Sequence, residues 1–138
     1  MFRLLVAGGR DFYAYRFIEQ TLTEWFVNEW SEEQETWEET DAGITVVHGD
    51  AGGVDRIAAM WATYNNFTVE PHPANWSKYG KAGGNVRNEE MIKSGIDYAI
   101  LFPGGYGTKN MKGHLIQAKI DFREAGVLDS DDEVVYTK

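Results

Sequence analysis

The segment Pro103-Gly104-Gly105-Tyr106-Gly107-Thr108 follows the apolar run Tyr98-Ala99-Ile100-Leu101-Phe102 and precedes a helix-like segment starting near Lys109. Glycines between a buried strand and a helix let the backbone approach a phosphate, and the helix N-terminus adds free N–H donors and a positive dipole end. Thr108 can cap that helix or hydrogen-bond a ligand. The chemistry implied is anion binding, with a nucleotide-type molecule as the expected ligand.

Three other polar clusters also follow apolar runs. The first is Gly8-Gly9-Arg10-Asp11, and the second is His48-Gly49-Asp50-Ala51-Gly52-Gly53-Val54-Asp55. The third is a long stretch with Trp76, Lys78 and Lys81 that leads into Gly83-Gly84-Asn85-Val86-Arg87-Asn88. Arg87 in the first turn of a predicted helix sets a cation against the positive dipole end, and a bound anion removes that conflict. Plainer readings stand beside these. Gly8-Gly9 can be a simple turn, Arg10 and Asp11 can pair with each other, His48 can be a satisfied buried histidine, and Asp55 can favour its helix N-terminus.

Several chemistries are disfavoured. The chain has no cysteine, which excludes disulfides, thiolate metal sites and a Cys nucleophile. His48, His72 and His114 are scattered, and His48 with Asp50 is only a fragment of a ligand shell, so no metal is expected. There is no G-x-G-x-x-G after the first apolar run, no Walker A loop and no G-x-S-x-G elbow.

The elements that must position these clusters alternate in period. Short continuous apolar runs at 4–7, 44–47, 67–69, 98–102 and 134–136 predict strands. Helical stripes separate them: Ile18, Leu22, Trp25 and Phe26; Val54, Ile57, Ala58, Trp61 and Ala62; a segment from near Asn85 to Gly95; and Met111, Leu115, Ala118, Phe122 and Ala125, stopped by Gly126. Continuously apolar strands suit a parallel sheet covered on both faces. The fold class predicted is α/β, Rossmann-like and doubly wound, with a mainly parallel five-stranded sheet and helices on both faces. With strand order 3-2-1-4-5, all four polar clusters emerge at the carboxyl edge, where such sheets bind ligands.

A length of 138 residues predicts one domain over 1–138. No apolar run approaches the roughly 20 residues that span a bilayer, and 4–7 is too short for a signal-peptide core, so a cytoplasmic protein without membrane association is expected. The net charge of −9 disfavours a protein that coats nucleic acid, because such binding rests on phosphate neutralisation by Lys and Arg. Much of that charge lies in an acidic stretch at about 29–42, from Glu29 to Asp41. It reads as a solvated helix end or loop, or as a partner-binding surface anchored by Trp30 and Trp37.

Taken in order, Gly8-Gly9-Arg10-Asp11, His48-Gly49-Asp50 with Gly53-Val54-Asp55, Gly83-Gly84-Asn85-Val86-Arg87-Asn88-Glu89-Glu90-Met91 and Pro103-Gly104-Gly105-Tyr106-Gly107-Thr108 resemble the SLOG superfamily, in its YspA-like, YpsA-related single-domain branch. The resemblance runs from about Phe2 to Val127, with the acidic stretch as an insertion. It implies a Rossmann-like fold that binds nucleotides or nucleotide-derived ligands such as ADP-ribose, as sensor, sequestering or processing protein, with no cofactor required. The related LOG phosphoribohydrolases cleave the base from a nucleoside 5′-monophosphate. They use a PGGxGTxxE glutamate and an arginine of the preceding helix. Arg87 resembles that arginine, whereas the glutamate position here is Met111, which has no acid–base chemistry.

The ligand-binding residues this implies are Gly8, Gly9, Arg10, Asp11, His48, Gly49, Asp50, Gly53, Asp55, Arg87, Asn88, Pro103, Gly104, Gly105, Gly107 and Thr108. Arg87 and Asp50 are the catalytic candidates, and Asp55, Glu89 and Glu90 are other carboxylates able to stand in for the missing glutamate. A binding module is the first expectation. A nucleoside 5′-monophosphate N-glycosidase is the second, and a nucleic-acid binder of the DNA-processing type is the third. The LOG relatives pair, which makes a homodimer an expectation as well.

Overall fold

The computed structural model describes residues 1–30, 43–128 and 134–135. The acidic stretch beyond Trp30, including Trp37, lies outside the described residues, as does Tyr136.

Five parallel strands form the main sheet in the order β3-β2-β1-β4-β5: β1 (Phe2–Ala7), β2 (Ile44–His48), β3 (Thr68–Pro71), β4 (Tyr98–Leu101) and β5 (Phe122–Glu124). Leu4 is the pivot of the register, facing Val46 of β2 on one side and Tyr98 of β4 on the other. The sheet is covered on both faces because its central strands carry apolar residues that point alternately to opposite sides. Leu4, Val6, Ile44 and Val46 pack against α1 (Tyr15–Trp25) and α2 (Val54–Tyr64), through Ile18, Leu22, Trp25, Ile57 and Trp61. Leu5, Val47, Ala99 and Leu101 pack on the other face against α4 (Gly83–Lys93) and α5 (Tyr106–Gln117), through Met91, Met111 and Leu115. The one-turn helix α3 (Trp76–Tyr79) and a 3-10 turn (Gly80–Ala82) link β3 to α4.

The C-terminal part departs from the periodicity. The helical stripe predicted through Phe122 and Ala125 breaks at Gln117, and Phe122–Glu124 is the fifth strand, paired with β4 through Ala99↔Phe122. Lys119 turns to φ 58, its amide donates to Ile116 O at 3.1 Å, and the Ile120 amide donates to Leu115 O at 3.0 Å. That is a Schellman ending, normally signalled by glycine. Here a lysine occupies the left-handed position, and Ile120 packs on the cluster that holds Leu115. The predicted last strand pairs elsewhere: β7 (Val134–Val135) runs antiparallel to β6 (Val127–Leu128) in a separate two-stranded sheet.

Candidate functional site

Strand order reverses between β1 and β4, so the loops that leave their carboxyl ends part around a crevice. These loops touch backbone to backbone. The Gly9 amide donates to Pro103 O at 2.8 Å, and the Val54 amide donates to Gly9 O at 3.3 Å. Glycine is required at two of these crossings. A Cβ on Gly104 would stand 2.7 Å from Gly9 N and beside the Thr108 hydroxyl, while Gly53 has φ +61 and a Cβ there would stand 2.6 Å from Arg10 O.

Helix α5 starts at Tyr106 with Gly105 as its N-cap and no side chain capping it, so Thr108 is not a cap. The first intrahelical donor is the Lys109 amide, 3.1 Å from Gly105 O. The amides of Tyr106, Gly107 and Thr108 therefore have no acceptor within the helix.

These three residues border a cavity of about 1000 Å³. Its walls come from all four polar loops and from the first turns of α4 and α5. Arg87 reaches it from the second turn of α4. Because that helix starts at Gly83, two residues before the predicted start, the dipole conflict expected of a first-turn cation is weaker than the sequence suggests. The guanidinium is held from behind. Nη1 donates to the Gly49 carbonyl and, at 3.4 Å, to His72 O, and Nε donates to Asn88 Oδ1 at 2.9 Å. Burial draws its pKa below the ordinary value, and the neighbouring Asp55 opposes that shift.

Asp55 is only 4% exposed. Its Oδ2 accepts the Ala51 amide at 3.2 Å, whereas Oδ1 has no hydrogen-bond partner among the described residues. Burial raises its carboxyl from 3.8 to about 6, against the downward pull of the Ala51 amide and of Arg87. A buried, half-satisfied carboxyl beside a guanidinium is an unusual arrangement, because such an oxygen ordinarily finds a partner. Perturbed groups of this kind cluster at functional sites.

Asn88, buried as well, locks the two covering helices together. Its Nδ2 donates to Asn110 Oδ1 at 2.9 Å and to Gly107 O at 3.2 Å, while its Oδ1 receives Arg87. Asn110 continues the ladder to Asn85 Oδ1 at 3.0 Å, which also meets His114 Nε2 at 2.9 Å.

Of the residues singled out from the sequence, Gly8, Gly9, Arg10, Asp11, Gly49, Asp55, Arg87, Asn88, Pro103, Gly104, Gly105, Gly107 and Thr108 line the cavity. His48, Asp50 and Gly53 are not among its lining residues. The His48 ring is buried, and its Nδ1 accepts the Asp50 amide at 2.9 Å, which assigns the ring to holding its own loop. Burial lowers its pKa. Asp50 is exposed, with φ 57, and Gly53 serves the loop crossing described above. Glu89 and Glu90 are not in the wall either, so Asp55 is the one wall residue among the carboxylates considered as substitutes for the missing glutamate. Met111 forms part of the wall and is 1% exposed.

The cavity also takes in Trp76, Lys81, Asn85, Met91, Tyr106 and Asn110. The polar spacing of Asn85, Asn88 and Asn110 carried no signal, because their meeting depends on how α4 packs on α5. Trp76 was visible as an aromatic in a glycine-rich stretch, without any indication of which way its ring faces. Among the described residues no group of three or more His, Cys, Asp or Glu could hold a metal ion. No described helix is long and apolar enough to cross a membrane.

A five-stranded parallel sheet with helices on both faces and a glycine-walled cavity at its switch point defines an α/β, Rossmann-like protein. A model of the YspA, cpYpsA-related SLOG family matches residues 2–79, more than half of the chain, and the chain belongs to that family. Over 68 residues it is 44% identical to the Gene 61 protein of Mycobacterium phage D29, an alignment covering 46% of this chain and 54% of that one. The chain thus spans about half the length of this relative. The structure is similar to that of DNA processing protein A from Streptococcus pneumoniae, with a TM-score of 0.68 and 14% identity, over 96% of this chain and 53% of that one. At that identity the likeness shows the fold.

Proposed function

We propose that the protein binds a nucleotide or nucleotide-derived ligand in the cavity at the carboxyl edge of the sheet. The observation that carries this reading is the pairing of opposite chemistries in one cavity. Tyr106, Gly107 and Thr108, whose amides have no helical acceptor, line it together with Arg87, and so does the exposed Asp11. A phosphate suits the amides of Tyr106, Gly107 and Thr108 and the guanidinium of Arg87. A ribose hydroxyl suits the exposed wall carboxylate of Asp11, because a hydroxyl can donate to a carboxylate. A phosphorylated ribose carries both groups, and a nucleoside phosphate or an ADP-ribose-like compound is the form that the family resemblance favours.

Calorimetric titration with AMP and ADP-ribose tests this. Saturable binding that free ribose 5-phosphate competes away supports it. Absence of binding by either nucleotide, at low and moderate salt, refutes it.

A second reading has one specific observation in its favour. Asp55, held near 6, stands in the cavity wall where the Met111 position lacks a carboxylate. A carboxyl with a pKa near the working pH suits proton transfer to a departing base. Chromatography of AMP incubated with the protein distinguishes the two: adenine release abolished by Asp55→Asn makes the protein an N-glycosidase, and intact AMP leaves it a binder. A DNA-binding role has the fold likeness on its side, while the net charge of −9 stands against it.

A further inference from the structure

We infer that Trp76 is the base-stacking platform of the cavity, the residue that distinguishes a nucleotide from a bare sugar phosphate. This inference rests on the nucleotide-binding reading and adds the part of the ligand which that reading leaves unassigned, since phosphate and hydroxyl recognition alone are indifferent to the base.

Trp76 lies in the cavity wall, yet 50% of it is exposed. A tryptophan left half in water at the edge of a cavity loses much of the free energy that burial would give it. Its position is nevertheless built. A Cβ on Gly83 would lie 2.9 Å from its Cε3, and one on Gly84 would lie 3.3 Å from its Cη2. The six-membered ring therefore rests on two consecutive glycines, and a side chain at Gly83 would displace it. The neighbouring turn is fixed too, since Asn75 Oδ1 accepts the Lys78 amide at 3.0 Å.

The result is an indole backed by main chain, with the rest of its surface open beside the cavity. Tyr106, the other large exposed aromatic of the wall, is 83% exposed. Flat, sequence-tolerant stacking of a base on an anchored aromatic contributes about 1–3 kcal/mol, which is roughly five- to 150-fold in affinity. The chemical class recognised is a planar heteroaromatic ring attached to the phosphorylated sugar.

The test compares AMP with ribose 5-phosphate by calorimetry on the wild-type protein, Trp76→Ala and Trp76→Phe. The expected result is a loss of about tenfold or more in AMP affinity for Trp76→Ala, near-wild-type ribose 5-phosphate affinity, and substantial recovery of AMP binding in Trp76→Phe. Equal loss of both ligands in Trp76→Ala makes the ring a structural cover for α4 and overturns the inference. Unchanged AMP affinity overturns it too. If the wild-type protein binds neither ligand, the functional reading itself falls and takes this inference with it. If it binds both equally well, the anion site stands and only the stacking platform is lost.

Discussion

The amide of Gly9 donates to the carbonyl of Pro103 at 2.8 Å, joining the loop after β1 to the loop after β4 across the point where strand order reverses. The preceding rung is the Phe102 amide to Ala7 O at 2.9 Å, so the β1–β4 pairing extends into the two loops. The Gly9–Pro103 bond brings the α5 start close to the first glycine loop. It is possible because residue 104 has no side chain.

Gly104→Ala should therefore damage both binding and folding. Its methyl group would meet Gly9 N and the Thr108 side chain, so the loop must move away from both. The expected outcome is a loss of AMP affinity of at least about tenfold, since a helix-start anion site depends on amide positions. The thermal midpoint should fall as well, because the methyl group would press on the Gly9 backbone, and melts in the presence and absence of AMP separate the two losses. Wild-type affinity in the titration refutes the assignment of this loop to the anion.

Arg87→Ala removes a cation from the cavity wall and leaves the Gly49 carbonyl without its donor. A charged hydrogen bond contributes about 1.5–3 kcal/mol, so affinity for a phosphorylated ligand should fall roughly ten- to hundredfold. Arg87→Lys should recover only part, because an ammonium cannot hold Gly49, Asn88 and a phosphate from one rigid fork. Parallel thermal melts separate lost binding from lost stability. Unchanged affinity for every phosphorylated ligand in Arg87→Ala would mean that the anion lies elsewhere.

Asp55 predicts a pH dependence of folding with a definite sign. Its carboxyl rises from 3.8 to about 6 in the folded state, so between these values the native protein holds more protons than the unfolded chain. Its contribution is fully present below pH 4 and is lost as pH rises to about 6, with an upper limit of roughly 3 kcal/mol. His48 acts oppositely near its ordinary 6.5, since its pKa is lowered by burial and its contribution is lost as pH falls. Glu70, held at about 2 by Arg3 and His72, loses its contribution only as pH falls below 4.5. Denaturant unfolding of wild-type and Asp55→Asn protein from pH 4 to 7 isolates the first effect. The variant should lack the decline between pH 4 and 6, and identical slopes would show that Asp55 ionises normally.

Gly53→Ala tests the loop crossing. The residue has φ +61, and its Cβ would lie 2.6 Å from Arg10 O. A side chain in such a conformation costs about 1–3 kcal/mol before any clash is counted. Chemical denaturation should show a loss of at least that size. A neutral effect would mean that the loops after β1 and β2 separate readily, contrary to the Val54–Gly9 hydrogen bond.

Much of the sheet was legible because its signal is local. The apolar runs of β1 and β4 at 4–7 and 98–102 are continuous, that of β2 is broken only by the β-branched Thr45, and Gly95 ends α4 where a left-handed residue is needed, at φ +92. The end of α5 was not legible. Leu115, Phe122 and Ala125 keep helical spacing in the sequence, but Lys119 takes the left-handed turn with a side chain that gives no warning of it. The cost of that conformation is met by the packing of Ile120 and Phe122 on the α4–α5 side of the sheet, a contact that no local pattern encodes.

The candidate site divides in the same way. The order of the glycine loops, the apolar strands before them and the Met111 departure were determined by the sequence, because chain connectivity places each β-to-α loop at the carboxyl edge of a parallel sheet. Which of those residues meet was decided only by tertiary structure. His48 turned inward to brace its own loop, Asp55 kept a buried, unpaired oxygen, and Trp76 came to rest on Gly83 and Gly84 at the cavity wall. Each of these outcomes depends on the relative placement of elements far apart in the chain, where burial and close contact, rather than spacing, set what a side chain can reach.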